Sequence, residues 1–198
     1  ERVPEVLRTP SGRIELAPEA ILADAERLRA ALARERNGGT ANRAHSAEPS
    51  ASGLVLIGRR QLRSNNSWMH NLPALVKGKD RCTLHVHPDD AGRLGLADGG
   101  RALVSSATGQ IEAPVEVTDG IMPGVVSIPH GWGHDAPGVR MSVASEHAGV
   151  NSNVLADDSL VDPLSGNAVL NGIPVEVAPS DGRQHRAAAV ATGDVGRV

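Results

Sequence analysis

The tightest constraint on this chain is the shortness of its apolar runs. From Leu54 onward the hydrophobic text comes as LVLIG, CTLHVH, RALVSS, QIEAPVEV, GVVSIP and IPVEV, each closed by Gly, Pro, Asp or Ser. Val, Ile and Thr recur in these runs, and branching at Cβ favours an extended, pleated backbone over a helix. Strands this short would leave long unpaired edges in an open sheet, whereas a closed ring pairs every one. The rhythm therefore predicts a mainly β chain built on a small closed barrel of about six strands. A helix is expected to interrupt it at HPDDAGRLGL, where Asp89 and Asp90 complement the first-turn dipole. Phe and Tyr are absent, so the core must come from Val, Leu, Ile and Ala. Trp68 and Trp132 fall in loops rich in Gly, Asn, Ser and His, which suggests contact surfaces rather than core filling.

The rest of the chain divides by composition. Residues 1–36 read as an extended piece, RTPSGRIEL, then an amphipathic helix that starts at Pro18, places Ile21, Ala25, Leu28 and Leu32 on one face, and stops at Asn37-Gly38-Gly39. Residues 37–53 are small, polar and aperiodic, as in a flexible linker. The barrel is expected over 54–177, and 178–198, without an apolar face, as a disordered tail. The opening ERVPEV has no basic-then-apolar leader and reads as a cut inside a longer protein, with a cytoplasmic location expected.

Several function classes fall away on composition. A net charge of -3 and a pI near 6.3 do not suit a general nucleic-acid binder. No apolar run approaches the roughly 20 residues of a membrane-spanning helix. The single cysteine, Cys82, excludes an internal disulfide framework and a multi-cysteine metal site, and its alternating surroundings read as a buried thiol. There is no G-x-S-x-G and no G-x-x-x-x-G-K-[ST]. Asp157-Asp158 reads as a polar turn.

Four loops carry the chemistry. The first, RRQLRSNNSWMHN, lies in a stretch from Pro49 to Lys79 that holds Arg59, Arg60, Arg63, Lys77 and Lys79 but no acid. Guanidinium forks and turn amides suit a diphosphate, although a solvated basic turn would read the same. Ser64, Asn65, Asn66 and Ser67 could read the edge of a heterocycle and Trp68 could cover its face, while Asn and Ser also make ordinary turns. The second loop, SIPHGWGH, sets His130, Trp132 and His134 among glycines that allow close backbone approach. The third holds Asn151, Ser152 and Asn153, and the fourth ends at Asn171. A barrel could bring all four to one rim.

A rival reading uses the histidines as metal ligands. His85 and His87 alternate along one strand, and Pro129 to His134 spells P-x-G-x-x-H, which approximates a cupin metal site built on His85, His87 and His134. The acid after His87 is Asp rather than Glu, and Gly138 stands where the pattern expects Asn. A third reading is a barrel used only to bind a protein partner.

In order and spacing, RTPSGRIEL, IGRRQLRSNNSWMHN, the long stretch from LHVHPDDAGRLGL to SIPHGWGH, and NSNVLADDSLVDPLSGNAVLNGIPVEV resemble the C-terminal cofactor-binding domain of the molybdopterin oxidoreductase family, which includes formate dehydrogenases and nitrate reductases. The resemblance implies a six-stranded double-psi β-barrel with a few short helices, which binds bis(molybdopterin guanine dinucleotide) and caps the active site. It implies cofactor contact by Arg59, Arg60, Arg63, Ser64, Asn65, Asn66, Ser67 and Trp68 in the first loop, His130 and Trp132 in the second, Asn153 in the third and Asn171 in the fourth. It implies no catalytic residue and no metal ligand in this chain, with a 4Fe-4S cluster held by a preceding part. The implied partners are the remaining domains of the same polypeptide and electron-transfer subunits. Leu170-Asn171 departs from the aromatic-Lys pair of many relatives.

Overall fold

Alternation along each strand decides what the barrel is filled with. The computed structural model describes residues 5–36 and 52–181. Its strands are β1 (Leu54–Arg59), β2 (Leu84–Val86), β3 (Arg101–Ser105), β4 (Gln110–Val117), β5 (Val125–Pro129) and β6 (Ile173–Ser180). Successive side chains point to opposite faces. Leu54, Leu56, Leu84, Val86, Ala102, Val104, Ile111, Ala113, Val115, Val126, Ile128, Val175 and Val177 all turn inward, none more than 5 % exposed. Each large aliphatic buried in this way contributes about 1.5–3 kcal/mol of transfer free energy. Ala102 and Ala113 are direct cross-strand partners, both fully buried. Two methyl groups facing each other mark an interior filled by small and branched aliphatics, consistent with a core that lacks Phe and Tyr.

The ring closes in the order β1-β5-β2-β4-β3-β6 and back to β1. Two of its pairs are parallel, β1 with β5 and β2 with β4, and the others are antiparallel. The chain thus interlaces strands from its first and second halves, and the fold is the double-psi β-barrel.

The helices are an 18-residue α1 (Glu19–Arg36) ahead of the barrel, the short α2 (Pro73–Val76), α3 (Pro88–Leu94) and α4 (Ser142–Glu146), and a 3-10 turn over Ser152–Leu155. In α3, Pro88 supplies a preset φ at the first position, the His87 ring accepts from Asp89 N–H at 3.2 Å, and Gly95 closes the helix at φ 70°. Buried Asp90 accepts from Gly124 N–H at 2.7 Å and from Arg93 at 2.8 Å, which ties α3 to the approach of β5. Along α1, Ile21, Leu28 and Leu32 remain exposed.

The barrel runs past its expected end. Ala178, Pro179 and Ser180, read from sequence as the start of a disordered tail, continue β6 and pair with Leu103, Ala102 and Arg101. The reason is register: β3 presents a full ladder there, and backbone pairing does not require an apolar side chain. At the other end, Ser52 of the expected linker donates from its hydroxyl to the Val175 carbonyl at 2.8 Å. Residues 37–51 of that linker and 182–198 of the tail lie outside the described residues.

Candidate functional site

The first loop leaves β1 and winds into consecutive tight turns: Ser64 N–H bonds Gln61 O at 3.0 Å, Met69 N–H bonds Ser64 O at 3.1 Å and His70 N–H bonds Ser67 O at 3.1 Å. Asn65 and Asn66 adopt φ of 42° and 61°, the left-handed region that Asn tolerates better than bulkier residues. The asparagine pair therefore has a backbone reason to be there. It has a side-chain reason as well. Asn66 Oδ1 is bonded by Arg60 and lies 2.8 Å from His130 Nε2, so one carboxamide joins the first loop to the second. Asn71 Oδ1 accepts from the Val143 and Ala144 amides, both at 3.1 Å, and anchors α4 to the same loop.

Two glycines let the second loop nest between its neighbours. Gly131 sits at φ 87°, where an added Cβ would stand 2.5 Å from Asn66 O; Gly133 sits at φ 102°, where it would stand 2.7 Å from Asn151 Cβ. The fourth loop joins through Gly58 N–H, which donates to Asn171 Oδ1 at 2.8 Å. The structure thus brings loops around residues 60–71, 130–134, 151–153 and 171 to one rim. On its crest Arg60, Arg63, Asn65, Asn66, Asn153 and Asn171 are exposed, and Trp68 is 82 % exposed. Ser67 and His130 are half-buried, and Ser64 is buried beneath the turn. Burial and the neighbouring Arg60 charge hold His130 below the usual imidazole range.

Below the crest lies a buried floor. His70 and Trp132 stack with ring centroids 3.8 Å apart, and His70 Nδ1 lies 2.7 Å from His134 Nε2. Their exposures are 1 %, 6 % and 7 % for His70, Trp132 and His134. Desolvation first, and the facing His134 second, push His70 down to about 4; burial lowers His134 as well. Trp132, expected on a contact surface, is packed inside, because a histidine distant in sequence offers its ring face. Its Nε1 and His70 Nε2 are buried without a hydrogen-bond partner. Cys82 reaches this floor too: a Cβ added at Gly149 would meet both Cys82 Sγ and Trp132 Cβ. Its thiol is buried, as expected, and burial raises it to about 11.

Arg59, expected on a diphosphate, has its fork engaged within the wall. Its fork donates to Ser127 O at 2.7 Å, Thr83 O at 2.8 Å and Thr83 Oγ1 at 3.0 Å, so it staples the end of β1 to β5 and to the entry of β2. Burial pulls its pKa down to about 10 while Glu116 opposes the shift. Thr83 Oγ1 in turn donates to Glu116 at 2.7 Å, and His85 Nε2 lies 3.3 Å from the same carboxylate. The arginine is committed to the wall, while Arg60 and Arg63 remain on the crest.

These contacts also remove the cupin reading. His85 faces Glu116, His87 caps α3, and His134 bonds His70, so the three proposed ligands serve three different partners. Among the described residues no group of three or more His, Cys, Asp or Glu side chains could hold a metal ion. Nor is any helix of the described residues long and apolar enough to cross a membrane.

Residues that sequence reasoning left out of the site are His70, Asn71 and Thr83. His70 and Asn71 close the stretch RSNNSWMHN itself, and Thr83 precedes the apolar run of β2. Only their long-range partners mark them.

Comparison with known proteins gives a match of residues 54–174 to the family described as "Molydopterin dinucleotide binding domain". A tetrathionate reductase chain of Salmonella typhimurium is 32% identical over 123 residues, covering 54% of this chain and 12% of that protein. Dimethyl sulfoxide/trimethylamine N-oxide reductase of Rhodobacter capsulatus is 39% identical over 83 residues, 42% of this chain and 10% of that protein. The molybdopterin-containing subunit of the arsenate respiratory reductase of Chrysiogenes arsenatis is 28% identical over 133 residues, 62% of this chain and 15% of that protein. The chain therefore spans between 10% and 15% of the length of these relatives. Acetylene hydratase from Pelobacter acetylenicus superposes with a TM-score of 0.61 at 22% identity, over 87% of this chain and 24% of that one, which establishes a shared fold.

Proposed function

The chain belongs to the molybdopterin dinucleotide-binding domain family, and from that premise we propose that it is the cofactor-binding domain of a larger molybdenum or tungsten oxidoreductase. In this reading the four-loop rim holds bis(molybdopterin guanine dinucleotide) and caps the active site. The observation that carries it is the crest: two exposed arginines and an exposed indole stand on a loop without a single carboxylate, and the glycines of the second loop let that loop pack directly against it.

The donor set fits the group. Arg60 and Arg63 supply charge for the diphosphate oxygens, and Ser67, Asn65, Asn66 and His130 supply donors and acceptors for polar ring edges. Trp68 offers a flat face for a heterocycle, and Asn153 and Asn171 extend the polar crest from the third and fourth loops. Trp132 Nε1, buried and unpartnered, is a donor beneath the crest. Arg59 acts indirectly, by fixing the strand end from which the first loop departs. When bound, the metal–pterin group supplies the electron-transfer chemistry, and the protein supplies affinity and orientation. The 4Fe-4S cluster and the electron-transfer subunits belong, on this proposal, to other parts of the assembly.

The test is metal and nucleotide content of the full-length protein carrying Arg60→Ala, Arg63→Ala and Trp68→Ala together. Molybdenum or tungsten per chain is expected to fall at least tenfold, with guanine released by acid hydrolysis falling in step. Unchanged metal content would overturn the assignment of the crest, and a nucleobase other than guanine would overturn the guanine form.

A further inference from the structure

His70 lies in the first loop and His134 at the end of the second, and they meet in a place from which solvent is excluded. A hydrogen bond between two imidazoles needs one ring nitrogen to carry its proton and the other to be bare, so the 2.7 Å contact requires that the two facing nitrogens not both be protonated. Stacking on Trp132 fixes the plane of the His70 ring, and His134 meets that ring edge-on with centroids 5.0 Å apart. The Gly133 and His134 amides both donate to Ala148 O, at 2.7 and 3.1 Å, so the second loop is pinned from its other side as well. Between these two pins and the end of β5 lies His130, whose ring meets Asn66 on the crest.

We propose that His70 is a positioning residue of the rim: through His134 and Trp132 it locks the second loop to the first, so that His130 and Asn66 present one continuous surface to a dinucleotide. The inference rests on the cofactor reading for its consequence, although the lock itself is independent of it. The groups that act on the pair are few. Arg81 faces His70 and disfavours its protonation, Asp135 favours that of His134, the Gly131 backbone favours that of His70, and the Cys82 thiol lies across Gly149 from Trp132. One added proton can be accommodated on a nitrogen away from the bond. A proton on each facing nitrogen sets two N–H groups against each other, and the lock opens.

Two substitutions separate hydrogen bond from bulk. His70→Phe keeps a ring on Trp132 but offers His134 no nitrogen; His70→Asn offers a polar atom close to the position of Nδ1 but no ring that titrates. In the full-length protein, metal content is expected to fall at least fivefold in His70→Phe and to recover to at least half of the wild-type value in His70→Asn. In the 198-residue chain with Trp68→Phe, Trp132 is the sole indole emitter, and its emission should step as the pH falls through about 4. That step should be missing when His70→Asn or His70→Phe is added. If His70→Phe does not fold, His134→Phe breaks the same bond from the other side. The proposal is overturned if His70→Phe keeps full metal content, if His70→Asn restores nothing, or if the emission step survives without His70. Metal content that responds to loss of Arg60, Arg63 and Trp68 but not to His70→Phe would sink the lock alone. Metal content that responds to neither would sink the cofactor reading with it.

Discussion

Trp68 and Trp132 belong to neighbouring polar loops, yet one is almost fully in solvent and the other is sealed beneath the rim. The crest around Trp68 leaves Arg63 and the indole exposed, while the exposed Arg60 bonds Asn66 within the rim. The floor around Trp132 closes on itself, histidine on histidine and imidazole on indole. The difference shows that polar residues in loops serve two separate ends, an exposed surface and support of the backbone that presents it. Composition does not tell them apart. The partner across space does.

Substitution of the two indoles should separate crest from floor most sharply. Trp132→Ala removes a buried ring and its stack, and a loss of about 3–5 kcal/mol in folding stability is expected from denaturant titration. Trp68→Ala should stay within about 0.5 kcal/mol of wild type in the same titration. Equal costs would erase the distinction. The arginines sharpen it at smaller scale: Arg59→Ala strips charged donors from the oxygens of Ser127 and Thr83 and should cost about 1.5–3 kcal/mol, whereas Arg63→Ala should change stability by less than about 0.5 kcal/mol.

A further comparison concerns protons. Because the folded chain holds His70 below its ordinary imidazole value of 6.5, down to about 4, the unfolded chain binds more protons between those limits. The contribution of the neutral ring is therefore complete above pH 6.5 and is lost as the pH falls toward 4. Depressed carboxylates such as Asp90 and Glu116 push in the same direction on the acid side. The measurement is thus the difference in melting temperature between wild type and His70→Asn across that range. The gap should narrow as the pH drops, and a constant gap would remove the titrating ring from the account.

Much of this molecule could be read from its text. The strand runs were legible because alternation and β-branching act locally, and so was α3, whose Pro88, acidic first turn and Gly95 are local signals. The four polar loops could be picked out, since no apolar pattern claims them. Burial of Trp132 was not legible, because it depends on His70 arriving from another loop. The diversion of Arg59 into the wall depends on carbonyls of β5 and of the entry to β2, groups every residue carries and no sequence distinguishes. The extension of β6 through Ser180 depends likewise on an open ladder on β3.

The ring order has a consequence in time. Val55 finds its neighbour only when Val125 exists, and Leu54 bonds to a strand that contains Val175. A ribosome working from the amino end must therefore release most of the domain before the first strand has either companion, and contacts this distant along the chain form slowly. The rim inherits that delay. The fourth loop, at Asn171, leads straight into β6, so the rim cannot be complete before that strand is in place.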